Sequence, residues 1–428
     1  MTLCEEKSGG NILCLRLSGL GDIVHALSAL SRLRECRPHA HIAWVVEDRF
    51  SDLLAGHPHI DELFVVPRTE WSEEFKNPFD WPEVIGDMRG LARRLKEGEF
   101  ETSIDFQSSI KSAWLVSAAG AQQRVGFGWN VARELNPLVN NTLVRTPDTE
   151  CHRIERDLAL LGPLGIPPRH RQPALACNDR DEKIIDRRLE QRLGGGPLAI
   201  IHPGTSDFAS FKRWQPERYA KVANGLASRH DADVLVSYGP GEEEMARQVW
   251  ETGGTAAQSA PETENLQQLI HLLSRADLFI GSDTGPLHVA SALEVPCVAL
   301  FGPKDPVQTG PYCSRSAVVT GEVHCRPCER RTCPDPRCMS TIGTNEVLSA
   351  ASRVLCGGGI RRAGGGVLRL GAYFKFTLGR WRGEVECSCS SPEFFSRLTE
   401  LKGEQADEDD VGKAMPLPDG MSVEVSPV

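Results

Sequence analysis

The feature that most constrains the fold is an alternation of short apolar segments with helical segments, which occurs twice along the chain. In the first half, "NILCLRL" (11–17) is followed by Ile23, Leu27 and Leu30, which recur at the spacing of one helical face. Further strand-like and helix-like segments follow, and the pattern restarts at "PLAIIHPG" (197–204). Alternation of this kind predicts parallel sheets covered by helices on both faces.

Changes in composition divide the chain into parts. A proline-rich, charged stretch separates the two halves, and "GGGIRRAGGG" after residue 356 predicts a flexible linker. A chain of 428 residues is also too long for one compact core. We therefore predict an α/β fold with two parallel-sheet domains and a cleft between them. The expected parts are a first domain at 1–177, a linker at 178–196, a second domain at 197–356 and a glycine-rich, partly disordered tail at 357–428.

Charge and hydropathy exclude several classes of protein. The net charge of -10 argues against a general nucleic-acid binder, which needs a basic surface. Two glutamates near the N-terminus and the lack of an apolar run of about 18 residues predict neither a signal peptide nor a membrane span. We expect a soluble, cytoplasmic protein whose 14 cysteines are thiols or metal ligands rather than disulfides.

The first strand-turn-helix segment, "LRLSGLGDIVHALSALSRL" (15–33), has three interpretations, and in the simplest of them its glycines only permit a tight turn. Its Gly-Leu-Gly turn lies where a dinucleotide-binding turn would, and Glu47 ends the next strand where a ribose-binding acid would. Val24, however, occupies the position of the third glycine of that motif. The third interpretation centres on Asp22, an ionised carboxylate at a helix N-terminus that serves either as a base or as a helix cap.

Two loops in the second half predict a site for a nucleoside diphosphate. "GSDTGPLHVASALE" follows a strand, and Pro286 suits the first turn of the helix that begins there. The free amides around Thr284, Gly285 and Leu287 would bind an anion. The upstream loop "HPGTSDFASFKRWQPERY" adds hydroxyls and cations at Thr205, Ser206, Lys212 and Arg213.

With these motifs the chain resembles glycosyltransferase family 9, the ADP-heptose:lipopolysaccharide heptosyltransferases. The resemblance covers about residues 11–355 and includes "DFQSSIKSA", "RVGF" and "HRIERDLALLGPLGI" in addition to the segments above. It implies a GT-B fold, with the acceptor on the N-terminal side of the cleft and the sugar nucleotide on the C-terminal side. It also implies inverting transfer of a heptose or related sugar from an ADP-sugar to a lipopolysaccharide core or lipid-linked acceptor.

The resemblance assigns roles to individual residues. Asp22 would take the proton of the acceptor hydroxyl, Lys212 would stabilise the leaving diphosphate, and Glu242 would contact the ribose or base. The other residues expected to bind the sugar nucleotide are Thr205, Ser206, Asp283, Thr284, Gly285, Pro286, Leu287 and His288. The residues expected on the acceptor side are Gly21, His25, Asp105, Gln107, Lys111 and Arg124.

Metal-dependent glycosyltransferases often hold the metal with an Asp-x-Asp triplet at a strand end. The three triplets of this chain, at 179–181, 231–233 and 407–409, do not lie in such positions. We therefore expect transfer that requires no metal cofactor. Two other functions stay open: a non-catalytic sugar-nucleotide-binding protein of the same fold and a dinucleotide-dependent oxidoreductase.

The cysteines of "HCRPCERRTCPDPRCMSTI" form a separate motif, spaced C-x2-C-x4-C-x4-C. Such a quartet suits tetrahedral zinc, although the second pair lacks the usual C-x2-C spacing. Reduced thiols that pack the loop and disulfides are the alternatives. The four candidate structural zinc ligands are Cys325, Cys328, Cys333 and Cys338.

The tail contains a segment that could contact a membrane. Residues 360–383 carry six basic side chains and no acidic one, interleaved with aromatic and aliphatic residues. Such a composition can hold a segment at an anionic membrane surface, here the inner face of the inner membrane. A strand pair or a disordered tail is the alternative.

Overall fold

The computed structural model describes residues 10–74, 76–132, 134–146, 151–328 and 330–356, together with three strands of the tail. These residues form two six-stranded sheets, in each of which all neighbouring strands are parallel. Helices cover both sheets. The predicted α/β class with two parallel-sheet domains is therefore confirmed.

The first domain has the sheet order β3-β2-β1-β4-β5-β6, so the chain reverses direction across the sheet between β1 and β4. Its elements are β1 (Asn11–Leu15), α1 (Leu20–Cys36), β2 (His41–Glu47), α2 (Ser51–Leu54), β3 (Glu62–Val66), α3 (Arg68–Glu74), α4 (Trp81–Glu97), β4 (Thr102–Asp105), α5 (Ile110–Ala119), β5 (Gln123–Phe127), β6 (Thr142–Val144) and α6 (Arg153–Ala159).

The second domain repeats this topology in the order β12-β11-β10-β7-β8-β9, with the reversal between β7 and β10. A helix, α7 (Asp179–Glu190), precedes it. Its elements are β7 (Leu198–His202), α8 (Pro216–His230), β8 (Asp233–Val236), α9 (Glu243–Gly253), β9 (Gln258–Ser259), α10 (Leu266–Ser274), β10 (Leu278–Ser282), α11 (Gly285–Ala292), β11 (Cys297–Phe301), α12 (Pro306–Thr309), β12 (Ser316–Thr320), α13 (Arg337–Ser340) and α14 (Thr344–Leu355).

Three antiparallel strands of the tail are described, β13 (Tyr373–Leu378), β14 (Trp381–Glu386) and β15 (Ser422–Pro427). Much of the segment at 360–383 proposed to contact a membrane lies outside the described residues, so that prediction is not tested. Among the helices that the structure describes, none combines the length and the apolar composition needed to cross a bilayer.

The stretch predicted as a linker contains the helix α7. Asn178 caps this helix by accepting a hydrogen bond from the backbone N–H of Asp181. Ile185 and Leu189, four residues apart, are buried on one side of it. The cap and this apolar spacing are both present in the sequence. The stretch was nevertheless predicted to be a linker, because it is highly charged and follows a proline-rich segment.

The loops that follow the central strands determine where a ligand can bind. Ligands of open parallel sheets bind at the carboxyl ends of the strands, where the strand order reverses. In the first domain this point lies between the ends of β1 and β4, and in the second between the ends of β7 and β10. The predicted residues Asp22, Gln107, Lys212 and Asp283 all follow these four strands closely.

The N-termini of α1 and α11 meet across the domain interface, and two glycines allow this approach. A Cβ on Gly21 would lie 2.2 Å from Cδ2 of His288, and a Cβ on Gly285 would lie 2.9 Å from that of Leu20. Both distances are shorter than any real contact. Gly21 therefore permits domain packing, whereas Gly19, with a φ of 87°, makes the tight turn.

His57 links the first domain to the segment that leads out of it. Its Nδ1 accepts the N–H of His59, so its Nε2 carries the proton and donates to the carbonyl of Ala174 at 2.9 Å. Burial lowers the pKa of His57 to about 4 from its usual 6.5, against a smaller opposing effect of the Ala174 hydrogen bond. Because the folded-state pKa is the lower one, this contribution to stability is complete above pH 6.5 and is lost as the pH falls toward 4.

We expect the His57→Gln variant to lose this pH dependence, since glutamine keeps a donor and an acceptor but does not titrate. Between pH 7.5 and pH 4, the free energy of unfolding of the wild type should fall by roughly 3 kcal/mol more than that of the variant. Urea unfolding at several pH values measures this difference, in which the effects of the other titrating groups cancel. If the difference in the free energy of unfolding between the wild type and His57→Gln did not change with pH, the titration of His57 would not be the cause of this pH dependence.

Candidate active site

Asp22 lies in the first turn of α1 and is paired with two arginines. Arg16, in the loop after β1, approaches Asp22 Oδ2 at 2.6 Å, and Arg153, at the start of α6, contacts Oδ1. The side chain of Asp22 remains 27% exposed. The N-cap of α1 is Gly19, so Asp22 lies in the first turn and does not occupy the N-cap position.

These arginines determine the protonation state of Asp22. Burial raises the pKa of this carboxyl, but the charges of Arg16 and Arg153 more than offset it and hold the pKa well below its usual value. Asp22 is therefore an ionised carboxylate, as its position in the sequence predicted. While both guanidiniums stay in contact it is also a weak base.

A third arginine extends this cluster. Arg156 lies one turn after Arg153, and the Nε atoms of Arg16, Arg153 and Arg156 are buried without an acceptor among the described residues. Asp157 is also buried, and burial raises its pKa to about 7. Positive charge is thus in excess beside Asp22, and three N–H groups remain available for an anionic ligand.

The residues of the "DFQ" motif support the loop that contains Arg16. Gln107 Oε1 accepts the N–H of Leu17 at 3.1 Å, and the carbonyl of Phe106 accepts from Arg16 Nη1. Asp105 is buried and accepts from the side chains of Ser112 and Asn136. Gln107 therefore positions the turn that precedes Asp22, whereas the hydrogen bonds of Asp105 are made within the protein.

Two other residues expected on the acceptor side lie at opposite ends of the strands of the first sheet. Lys111, on α5, is half exposed and lies 3.7 Å from the buried carboxylate of Glu47, at the carboxyl end of β2. Arg124 is the second residue of β5 and pairs in register with Ser103 near the amino end of β4. Its guanidinium donates to the carbonyls of Val139 and Ala121, so the structure does not bring Arg124 to the cleft, contrary to the expectation.

A continuous chain of polar side chains joins the two domains. His25 Nε2, on α1, lies 3.2 Å from His288 Nδ1, on α11. His288 Nε2 lies 3.3 Å from Asp283 Oδ1, and Asp283 Oδ2 lies 2.6 Å from Lys212 Nζ. The sequence placed these four residues in two separate domains, and the structure brings them together.

Burial and neighbouring charges fix the protonation states along this chain. Burial, with His288 and His152 nearby, lowers the pKa of His25 well below its usual range, so His25 is neutral. Burial raises the pKa of Asp283, but the hydrogen bond from His288 and the charge of Lys212 hold that pKa well below its usual value. Lys212 thus faces a carboxylate that a bound diphosphate would have to compete with.

The N-terminus of α11 presents backbone amides beside Lys212. The N-cap residue Thr284 makes no side-chain capping hydrogen bond, and Pro286 has no N–H in the first turn. The amides of Gly285 and Leu287, reinforced by the helix dipole, therefore suit a phosphate group. Lys212 Nζ also donates to the backbone carbonyl of Asp283 at 3.0 Å, which places the cation at this terminus.

The loop after β7 forms one wall of a cleft of about 440 Å³. Glu242 lines the cleft, and its Oε2 lies 3.1 Å from His202 Nε2. Thr205 is buried, and its Oγ1 accepts from Arg213 Nε, whereas Ser206 is exposed. Thr205 therefore orders the loop, and the carboxylate of Glu242 is available to a ligand in the cleft.

The cysteine loop (residues 325–338) lies next to this cleft. Pro336 lines it, as do Met339 and Ser340 just after the loop. All four loop cysteines are free, whereas Cys36 is disulfide-bonded, so the expectation that the cysteines are thiols or metal ligands is wrong for Cys36. Among the described residues, three metal-ligating atoms converge within 4.8 Å at Cys177, Glu182 and His271, and not in the cysteine loop.

The arginines of the cluster were not predicted from the sequence. Arg16 is adjacent to the "LSGLGD" turn, and Arg153 lies in the "HRIERD" motif, which was noted without a role. Arg153 reaches Asp22 across 131 residues of chain, so only the tertiary structure shows the contact. The signal available in the sequence was the pair of arginines in Arg-x-x-Arg-Asp at 153–157, which are spaced to lie on one face of a helix.

Comparisons with known proteins agree with this geometry. Residues 88–338 match the family model described as Glycosyltransferase family 9 (heptosyltransferase), which is more than half of the chain. The lipopolysaccharide core heptosyltransferase OpsX of Haemophilus influenzae is 27% identical over 313 residues, which are 72% of this chain and 84% of that protein.

Solved structures show the same fold. The family 9 glycosyltransferase of Veillonella parvula superposes with a TM-score of 0.69 at 22% identity, over 83% of this chain and 99% of that one. The Escherichia coli heptosyltransferase WaaC, solved with ADP, gives a TM-score of 0.62 at 22% identity, over 80% of this chain and 99% of that one. The match to the family model over more than half of the chain, together with the two parallel-sheet domains, identifies the chain as a glycosyltransferase that belongs to glycosyltransferase family 9, the heptosyltransferase family.

Proposed function

We propose that this glycosyltransferase transfers a heptose from ADP-heptose to a lipopolysaccharide core acceptor, with inversion at the anomeric carbon and without a metal cofactor. The observation that carries the proposal is the polar chain that runs from His25, on the helix that carries Asp22, through His288 to the Asp283–Lys212 pair across the domain interface. Arg153 contacts Asp22, and the nearby charge of Asp283 also raises the pKa of Arg153. The proposed base and the proposed donor site therefore lie close together.

The donor would bind to the second domain. Its diphosphate would accept hydrogen bonds from the amides at the start of α11 and from Lys212, displacing the carboxylate of Asp283. Its ribose hydroxyls would reach Glu242, the carboxylate that lines the cleft. The solved structure of WaaC with ADP supports an adenine nucleotide in a cleft of this fold.

The acceptor would bind to the first domain beside the arginine cluster. Negative charge on the acceptor would engage the unsatisfied Nε groups of Arg16, Arg153 and Arg156. As these guanidiniums turn to the acceptor, they stabilise the Asp22 carboxylate less, and its pKa rises. Acceptor binding would thus convert a weak base into one able to take a proton.

The chemical step follows from this arrangement. Asp22 takes the proton of the acceptor hydroxyl while that oxygen forms a bond to the anomeric carbon, from the face opposite the diphosphate. The bond from the anomeric carbon to the diphosphate oxygen breaks, and its electron pair leaves with ADP. Lys212 and the α11 amides stabilise the charge that develops on the leaving group. Products are the glycosylated acceptor, with inverted configuration, and ADP.

The Asp-x-Asp triplets support transfer without a metal. Asp181 accepts hydrogen bonds from Asn178 and Gln268, and Asp233, at the amino end of β8, accepts the N–H groups of Gly194 and Gly195. These carboxylates are thus used in the structure and do not lie at the start of α11. The third triplet lies outside the described residues.

We expect the initial rate of transfer to be the same in excess EDTA as in its absence, because Lys212 and the helix amides supply the positive charge at the diphosphate. Measurement of ADP release over the first minutes tests this. A loss of rate that Mg²⁺ or Mn²⁺ restores, and Zn²⁺ does not, would contradict it. Because Zn²⁺ does not restore the rate in that outcome, the loss could not be attributed to removal of a structural zinc ion by EDTA.

Zinc in the cysteine loop stays a proposal. Cys338 packs against the core of the second domain, and burial raises the pKa of its thiol, with Cys325 and Cys333 close enough to add to the shift. Zinc there would fix the wall of the nucleotide cleft formed by Pro336, Met339 and Ser340. Its role would be structural, since no step of the transfer involves the loop.

A nucleotide panel tests the proposed donor and separates the alternatives. Thermal shift with ADP, UDP, GDP and NAD should show stabilisation by ADP that is lost in the Lys212→Ala variant and retained in Asp22→Asn. Stabilisation by NAD in preference to ADP would favour an oxidoreductase and contradict the proposal. Binding of ADP-heptose without turnover in the presence of acceptor would favour a non-catalytic binding protein.

A further inference from the structure

Outside the active site, three side chains with different ligand atoms converge where α7 packs against α10. Cys177 precedes Asn178, the N-cap of α7, Glu182 lies in the first turn of α7, and His271 lies on α10. The thiol sulfur, a carboxylate oxygen and a ring nitrogen all lie within 4.8 Å of one another. His271 is buried, and the other two side chains are partly exposed, so solvent can reach the group.

The surroundings of His271 have the arrangement typical of a metal-bound histidine. Its Nε2 lies 2.9 Å from Asp186 Oδ1, one turn after Glu182, which leaves Nδ1 directed at Glu182 Oε1 at 3.8 Å. Arg275 holds Asp186 in place through two hydrogen bonds. Metal-ligating histidines usually donate their other ring N–H to a carboxylate held in this way, which fixes the tautomer and the orientation of the ring.

A simpler account treats the group as an ion pair in which a protonated His271 lies between Glu182 and Asp186. That account gives no role to Cys177, whose thiol donates to the carbonyl of Gln267 at 3.4 Å, one turn before His271 on α10. It also leaves Asp186 with two cationic partners, His271 and Arg275. A divalent ion bound at Nδ1 of a neutral His271 uses all three ligand atoms and leaves Asp186 one cation and one N–H donor.

We propose that Cys177, Glu182 and His271 bind Zn²⁺, with solvent as the fourth ligand. One sulfur, one nitrogen and one oxygen ligand suit zinc, whereas magnesium and calcium prefer oxygen alone. The Cys177 thiol would lose its proton to solvent on binding. The ion would join the segment that enters the second domain to α7 and α10.

The position of the site gives it a structural consequence. Gln267 donates from its side-chain amide to the carbonyls of Asp52 and Ala55 in the first domain. Its own carbonyl accepts the Cys177 thiol hydrogen bond. Zinc bound at Cys177 would therefore act next to a contact between the two domains, and we expect it to raise the melting temperature of the full-length protein.

The test uses full-length protein in which the cysteine loop cannot bind metal, with the combined substitutions Cys325→Ser, Cys328→Ser, Cys333→Ser and Cys338→Ser. Equilibrium dialysis of this protein against Zn²⁺ should give about one bound ion. Adding Cys177→Ser or His271→Gln should abolish this binding, whereas Cys356→Ser, at an exposed thiol elsewhere, should not. Asp186→Asn should weaken it 10- to 100-fold.

Cobalt gives an independent readout of metal binding by Cys177. If Cys177 only packed against its neighbours, this spectroscopic signal would not depend on it. Co²⁺ added to the loop-substituted protein should produce a thiolate-to-cobalt charge-transfer band that disappears in Cys177→Ser and remains in Cys356→Ser. Circular dichroism shows whether each variant is folded. A loop-substituted protein that is folded and binds no Zn²⁺, or binding unchanged by both Cys177→Ser and His271→Gln, would overturn the proposal.

Discussion

Replacing Asp22 with asparagine is expected to reduce the rate of sugar transfer by about 10²- to 10⁴-fold, the usual contribution of a positioned general base. Asparagine has the same shape, and its Oδ1 can still accept a hydrogen bond from Arg16 or Arg153, so the fold and the affinity for ADP should be preserved. Steady-state rates of ADP release, with ADP binding measured by calorimetry, separate the two effects.

A matched control for this variant is Asp52→Asn, which changes an exposed carboxylate on α2 in the same domain. It should transfer sugar at the wild-type rate. Turnover of Asp22→Asn at that same rate would show that Asp22 only orders its two arginines.

Replacing Lys212 with alanine is expected to reduce transfer by at least about 10²-fold and to weaken ADP binding as well. The ammonium is the cation placed at the start of α11, where Lys212 Nζ also neutralises Asp283 Oδ2. Without it, Asp283 keeps its negative charge beside the diphosphate and repels it. Calorimetry with ADP and initial rates with ADP-heptose measure the two losses.

The control for this second variant is Lys221→Ala, an exposed lysine on α8. Its ADP affinity and its rate should equal those of the wild type. If Lys212→Ala also retained both, the cation would have no part in donor binding, and the diphosphate would have to bind elsewhere.

Local patterns in the sequence were sufficient to place Asp22 at the start of a helix and to locate the start of α11. Each lies in a strand-turn-helix segment, and the physical chemistry of a helix N-terminus depends on a few neighbouring residues only. The two parallel sheets were predictable for the same reason, since each strand and helix carries its own apolar pattern.

Long-range contacts were not predictable in this way. The pairing of Arg153 with Asp22 depends on how α6 packs against α1, which no local pattern specifies. Arg124 was misplaced because its motif does not show which end of β5 faces the cleft; the pairing of Arg124 with Ser103 does. In the sequence, Gly21 resembled part of a dinucleotide-binding turn. That a side chain at this position would collide with His288 is apparent only when both domains are present.

The central claim is that Asp22 of one domain and Lys212 of the other form a single transferase site, and direct measurement of transfer tests it most sharply. Full-length protein is incubated with ADP-heptose and lipopolysaccharide core acceptor, and the acceptor is then examined by mass spectrometry and by NMR at the new anomeric centre. We predict addition of one heptose for each ADP released, with inverted configuration, and loss of both products in Asp22→Asn and Lys212→Ala. An acceptor that stays unmodified while ADP-heptose binds, or a product of retained configuration, would contradict the account.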